Sequence, residues 1–125
     1  EINERYEKAS YYNLQLKNIE EIDLFEFSDL DGHTNSYMEY PIILKFENKF
    51  KLLKYLTTKN IFLRLHWYKN NDKFYEFKKL IKPNNCDIID NNCIVLPCGL
   101  NINKSYQDHI INNIKNYFET NKNNK

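Results

Sequence analysis

The chain has 125 residues with 18 Lys plus Arg against 17 Asp plus Glu, a net charge of +1, 15% aromatic residues, two glycines and three cysteines. That length makes one domain, able to bury roughly two-thirds of its unfolded surface without metal or disulfide staples. Near-neutral charge with no long Lys/Arg run excludes a basic stripe for nucleic acid or anionic membrane, and two glycines are too few for a P-loop or a dinucleotide fingerprint.

Cys86, Cys93 and Cys98 form no CxxC, and no histidine stands at a zinc-ligand offset from them, so they read as reduced thiols of a cytoplasmic protein. The apolar runs are too short to span a membrane. The opening Glu1-Ile2-Asn3-Glu4 has no apolar signal segment, and a first residue other than Met suggests a piece of a longer chain.

In chain order, Ile2, Tyr6, Ala9, Tyr12, Leu16 and Ile19 step by three or four and predict a helix with one apolar stripe, Glu4, Glu7, Lys8 and Lys17 staying wet. Ile22 to Phe27 is β-rich and reads as a strand, and Ser28 to Asn35 carries turn chemistry and leads into a loop with His33. Tyr37 to Phe46 alternates: Met38, Tyr40, Ile42, Leu44 and Phe46 share one side, Tyr37, Glu39, Ile43 and Lys45 the other. Pro41 has no N–H to give a ladder, so that position must face an edge, a bulge or the strand's beginning.

Glu47 to Lys59 turns helical, with Phe50, Leu52, Leu53 and Leu56 inside and Lys51, Lys54 and Lys59 outside. Asn60 stops it, because Asn tolerates the left-handed position after a helix nearly as well as Gly. Ile61 to Trp67 alternates again and predicts a half-buried strand with Ile61, Leu63, Leu65 and Trp67 toward the core and Phe62, Arg64 and His66 on the other face. A polar loop, Tyr68 to Asp72, precedes helical spacing at Phe74, Phe77, Leu80 and Ile81, which Pro83 breaks. Ile94-Val95-Leu96 reads as a strand ending at Pro97. A last helix starts near Asn103, a good N-cap, and buries Tyr106, Ile110, Ile114, Tyr117 and Phe118.

The expected fold is a two-layer α+β domain over residues 1–120, helices on a small, mainly antiparallel or mixed sheet of about four strands, with 121–125 a frayed tail. Among candidate functional side chains, His66 can donate to a hydroxyl or phosphate and Arg64 can pair with an anionic group. Trp67 reads as core, and His33 and His109 as loop and wet-face residues.

Three pieces in order resemble the C-terminal small domain of the DegT/DnrJ/EryC1/StrS family of sugar aminotransferases. Tyr40-Pro41-Ile42-Ile43-Leu44 with Leu52, Tyr55-Leu56 and Asn60-Ile61 is similar to one family segment, with Asn60 standing where the family usually has Gly. Arg64-Leu65-His66-Trp67 resembles the strand that follows. Cys93-Ile94-Val95-Leu96-Pro97-Cys98, then Asn103 to Phe118, resembles the closing strand, loop and helix, and Arg5-Tyr6 lies in a helix similar to the family's leading one.

The resemblance implies an aspartate-aminotransferase-type small domain and a parent enzyme, a homodimer, that uses PLP to move an amino group from a donor to a keto-sugar nucleotide. It also implies that the Schiff-base lysine, the aspartate on the pyridine nitrogen and the phosphate cup belong to an upstream large domain. The expected role of this chain is then to close the substrate cleft, His66 and Arg64 facing the acceptor. Its own lysines fall on wet faces or in loops, so the isolated chain is expected to hold no PLP covalently and to be inactive. The competing expectation is a stand-alone, non-catalytic interaction module presenting Tyr11, Tyr37 and Tyr68. A hydrolase using Cys98 or Cys86 with His66 has no motif behind it.

Overall fold

The computed structural model of the chain describes residues 1–25, 35–63 and 86–124. Helix α1 (Ile2–Leu16) buries Ala9, Tyr12 and Leu16, while Ile2 and Tyr6, on the same stripe one and two turns earlier, remain exposed. The stripe is apolar along its whole length, but only its second half has a sheet to lie on. Ile19 N–H to Leu16 O (3.0 Å) and Ile22 N–H to Ile19 O (3.2 Å) then turn the chain into β1 (Ile22–Leu24).

Among the described residues it forms, with β2 (Glu39–Leu44) and β3 (Cys93–Pro97), a three-stranded antiparallel sheet of order β1-β2-β3. The register sets Ile22 opposite Leu44, Ile42 opposite Ile94 and Tyr40 opposite Leu96, so one face is apolar throughout and a one-residue slip would expose it. Pro41 fits this sheet for a local reason. Lys45 N–H donates to Glu21 O (3.0 Å), so by the two-residue period Ile43 and Pro41 also turn their backbone toward β1. β1 ends at Leu24, opposite Ile42, and the missing N–H falls one residue past that ladder.

The buried face carries α1, α2 (Lys49–Thr58) and α4 (Lys104–Asn123). Tyr12 of α1 stacks on Tyr40 with ring centroids 5.0 Å apart, and each hydroxyl finds a partner: Tyr12 donates to Pro97 O (3.0 Å) and Tyr40 to Asn13 Oδ1. Helix α4 touches both other helices. Gln107 Nε2 donates to Lys8 O (2.8 Å) in α1, and Tyr117 packs on the Tyr55 ring of α2 at 5.3 Å. Its start is capped as the sequence predicts, Asn103 Oδ1 accepting from Tyr106 N–H (2.8 Å), although Tyr106 itself is only half-buried. The helix continues through Asn123, into the stretch expected to fray.

Three expectations change. Phe50 is exposed and Lys49 buried, so α2 is rotated from the predicted face, with Leu52 and Leu56 pointing inward. Met38 and Phe46 lie on the core side of the alternation but just outside β2, and both are 71% exposed. A short helix, α3 (Cys86–Asn92), precedes β3, where no helix was expected, and its Asn92 Nδ2 donates to Leu44 O (2.7 Å) at the end of β2. The predicted helix over 74–81 and most of the predicted strand over 61–67 lie outside the described residues. No helix among the described residues is long and apolar enough to cross a membrane.

Candidate functional site

The end of α2 aims the chain toward the segment of interest. Asn60 has φ 59°, in the left-handed region, and two bonds close the turn around it: Asn60 N–H to Thr57 O (3.1 Å) and Ile61 N–H to Leu56 O (3.0 Å). This is a Schellman motif, and the buried pair Ile61 and Leu56 supplies its hydrophobic contact. His109 of α4, exposed as expected, holds the same turn, its Nε2 lying 2.9 Å from Lys59 O and donating to that carbonyl. The chain therefore leaves α2 in a set direction, with Ile61 1% exposed, Phe62 72% exposed and Leu63 half-buried. That is the predicted alternation as far as Leu63. Arg64, His66 and Trp67, the side chains it leads to, lie outside the described residues, as do His33 and Tyr68.

Beside Phe62 and Leu63 lies a groove of about 530 Å³ whose other walls are Met38 and Glu39 at the start of β2, Pro97 at the end of β3, and the turn that follows, with Tyr106 at its back. The turn is tied to α1: Lys8 Nζ donates to Gly99 O (2.7 Å) and to Leu100 O (3.4 Å), and Cys98 Sγ lies 3.6 Å from Arg5 O. A Cβ on Gly99 would stand 2.9 Å from Asn101 Oδ1, so a larger residue there would have to push that exposed side chain aside. At the same end of the sheet Tyr37 has φ 43°, an uncommon conformation for an aromatic residue, held by its N–H to Asn35 Oδ1 (3.0 Å) and by Tyr6 edge-on at 5.8 Å.

Polar residues line the groove beside its apolar ones: Glu39, Asn101 and Tyr106. Sequence reasoning passed over all three as site residues, taking Tyr106 as core; the one available signal was that Glu39 sits on the non-core phase of β2. The one thiol among the groove's described lining residues, Cys98, is held in its unreactive form. Burial pushes the Cys98 thiol up to about 11, against a smaller opposite pull from Lys8 and Arg5, so it stays protonated at neutral pH. Cys93 is raised for the same main reason, and no group of metal-ligating side chains exists among the described residues.

A larger cleft of about 780 Å³ runs between the end of α1 and β1, but its polar lining is surface charge, including exposed Lys17 and Glu20 and the ion pair Lys45–Asp23 at 3.6 Å. Covalent PLP binding needs a desolvated lysine amine facing a cavity. No lysine lines the groove among the described residues, Lys17 and Lys45 in the cleft are exposed, and Lys49, buried against expectation, sits in the first turn of α2 with Nζ 5.8 Å from the Phe50 ring. The described residues do not fit that cofactor.

The sequence model of the DegT/DnrJ/EryC1/StrS aminotransferase family matches residues 1–115. No curated protein sequence matches the chain. Among solved structures it is similar to the aminotransferase TlmJ from Streptoalloteichus hindustanus, with TM-score 0.84, 13% identity, and coverage of 95% of this chain and 32% of that one. It is also similar to a DegT DnrJ EryC1 StrS aminotransferase from Brucella abortus, with TM-score 0.76, 20% identity and 94% and 31% coverage. A third is PseC from Helicobacter pylori, an aminotransferase involved in the biosynthesis of pseudoaminic acid, with TM-score 0.75, 21% identity and 95% and 33% coverage. At these identities the likeness shows the fold, and the chain spans about a third of the length of each structure it matches.

Proposed function

Because the chain belongs to the DegT/DnrJ/EryC1/StrS aminotransferase family, we propose that it is the C-terminal small domain of a PLP-dependent aminotransferase acting on a keto-sugar nucleotide in cell-surface polysaccharide biosynthesis. The parent is a cytoplasmic homodimer. The observation that carries this reading is the family match over residues 1–115, in a chain that spans about a third of each aminotransferase structure it matches; among the described residues its groove presents Glu39, Asn101 and Tyr106 beside a buried, protonated thiol.

In this reading the upstream large domain supplies the cofactor, whose chemistry is the transfer of an amino group from a donor to the acceptor's carbonyl carbon. This chain's contribution is positional. Glu39, Asn101 and Tyr106 line the groove beside Phe62 and Leu63, and Arg64 and His66 follow Leu63 in sequence as the acceptor-binding pair. An arginine there matches a nucleotide phosphate, and a histidine a sugar hydroxyl. Apolar Met38, Phe62 and Pro97 would exclude water around the bound sugar.

The full-length reading frame tests this. Its product should show aldimine absorbance with PLP, and the 125-residue chain alone should not; a persistent aldimine on the isolated chain would overturn the assignment. In the full-length enzyme His66→Ala should raise the acceptor KM or lower kcat with the fold intact, and unchanged kinetics would remove His66 from the site. Of the three tyrosines in the interaction-module reading, Tyr37 is buried, Tyr11 is held by Asp108 (2.7 Å from its hydroxyl) and by Lys104 over its ring, and Tyr68 lies outside the described residues.

A further inference from the structure

The carbonyls at the end of α2 are met in two ways. Leu56 O accepts from Lys59 N–H (2.9 Å) and Ile61 N–H (3.0 Å), and Thr57 O from Asn60 N–H (3.1 Å), all within the turn. Lys59 O, at the C-cap, is met from another helix: its donor is the ring of His109 in α4, 50 residues on, with Nε2 at 2.9 Å. The Lys59–Asn60 peptide unit is therefore tied at both ends, its N–H to Thr57 O and its C=O to His109. The path of the chain beyond α2 turns on the two dihedrals that flank this unit, ψ of Lys59 at 14° and φ of Asn60 at 59°. Asn60 sits in the less favoured left-handed region, so an untied unit would let φ relax toward negative values and swing Ile61, Phe62 and Leu63 away from their places.

Asn113 decides which ring nitrogen carries the proton. It lies one turn on in α4, 9% exposed, and its Nδ2 donates to His109 O (2.8 Å); a carbonyl only accepts, so the amide nitrogen must face that side. The same Nδ2 stands 3.3 Å from His109 Nδ1, which is then the acceptor of that pair. The proton of the neutral ring is left on Nε2, aimed at Lys59 O. A buried amide thus selects the one tautomer that can hold the turn.

We infer that His109 is a positioning residue of the groove. It does not line the groove itself; it acts through the Lys59–Asn60 peptide and fixes where Phe62 and Leu63 stand in the wall. The functional meaning of that restraint rests on the proposed reading of the groove as the wall that orients the acceptor, and the restraint adds to that reading a residue outside the groove that keeps the wall in register.

NMR of the 125-residue chain tests this. His109→Ala, a change at an exposed position, should speed amide exchange at Asn60 and Ile61 roughly fivefold, about the effect of one lost hydrogen bond, with the β2–β3 ladder amides unchanged. The methyl order parameters of Leu63, which packs against the core, should fall in the same variant. His109→Gln keeps a donor at a similar reach and should restore both signals, whereas His109→Asn, one carbon shorter, should not. In the unsubstituted chain the imidazole nitrogen spectrum of the neutral ring should show the proton on Nε2. The inference is overturned by a proton on Nδ1, by unchanged exchange at Asn60 and Ile61 in His109→Ala, or by faster exchange there with Leu63 as ordered as before. Acceleration of the ladder amides together with the turn would also overturn it, as a general loss of stability. A full-length product with no aldimine absorbance would overturn the aminotransferase reading instead, and none of these signals depends on it.

Discussion

Replacing Asn60 tests the geometry that directs the chain from α2 toward the groove. Its φ of 59° costs most L-residues about 1–2 kcal/mol and Asn less, because the short amide side chain suits that region. The two closing bonds, 3.1 and 3.0 Å, use backbone groups alone, so they survive substitution, and the change in stability isolates the conformational cost. Asn60→Gly should leave stability unchanged or raise it by about 0.5 kcal/mol, the relief of strain being offset by the greater freedom of Gly when unfolded. Asn60→Ala should lose about 1 kcal/mol, and Asn60→Val, β-branched, about 2 kcal/mol. Urea unfolding followed by far-ultraviolet circular dichroism reads this directly. With a slope of about 2 kcal/mol per M, a loss of 1 kcal/mol moves the midpoint down by about 0.5 M. The expected order is Gly at or above Asn, then Ala, then Val. An Asn60→Val protein as stable as the parent chain would refute the left-handed turn, and with it the direction in which Phe62 and Leu63 leave the helix.

Two other outcomes follow from the core. Leu96 is fully buried opposite Tyr40, so Leu96→Ala should cost about 2–5 kcal/mol in urea unfolding, and a loss below about 1 kcal/mol would mean that the helices collapse freely onto the sheet. Stability should fall as pH rises from about 9, where Cys98 would ordinarily ionise, to about 11, where it does so when folded, by about 1.4 kcal/mol per pH unit at most from this group. The sign is set because in that window the native state keeps a proton that the unfolded chain releases. Tyr117, pushed up to about 12 by burial and by Glu47, and Tyr12 and Tyr40, raised by burial, extend the decline to higher pH. Cys98→Ala should make the decline between 9 and 11 shallower, most visibly below 10 where the tyrosines do not yet contribute, and an unchanged slope there would assign it to other groups.

Where structure depends on local chemistry, the sequence was a sufficient guide. Asn103 caps α4 through a bond to a residue three positions on, Asn60 ends α2 through its own backbone preference, and the alternation of Tyr40, Ile42 and Leu44 needs only a covered face. The phase of α2 is a different kind of fact. Phe50, Leu52, Leu53, Tyr55 and Leu56 spread apolar surface over a wide arc, and the sheet on one side with Tyr117 of α4 on the other decides that Leu52 and Leu56 go inward while Phe50 stays out. Helix α3 was illegible for a related reason. Its residues have no apolar period, its two isoleucines are exposed, and what anchors it is the Asn92 amide on Leu44 O and Glu47 O, 48 and 45 residues away.

The groove combines both kinds of determinant, which explains why half of it could be anticipated. The path of Ile61 to Leu63 follows from a helix stop and an alternation, both written in adjacent residues. The facing wall does not: Glu39 and Asn101 become neighbours of Phe62 only because Lys8, 91 residues from Gly99, holds the turn after β3 against α1, and because β2 and β3 pair in the one register that brings Glu39 beside Pro97. Side chains that acquire a role through such long-range ties carry no mark in their local sequence. The burial that builds this wall also keeps the Cys98 thiol protonated, so the packing that shapes the groove also leaves its thiol unreactive at neutral pH. For a domain proposed to hold one substrate while another domain supplies the reacting group, the two consequences are compatible: a reactive thiolate beside an electrophilic carbonyl would be a liability in the resting complex, and burial removes it with no additional residue.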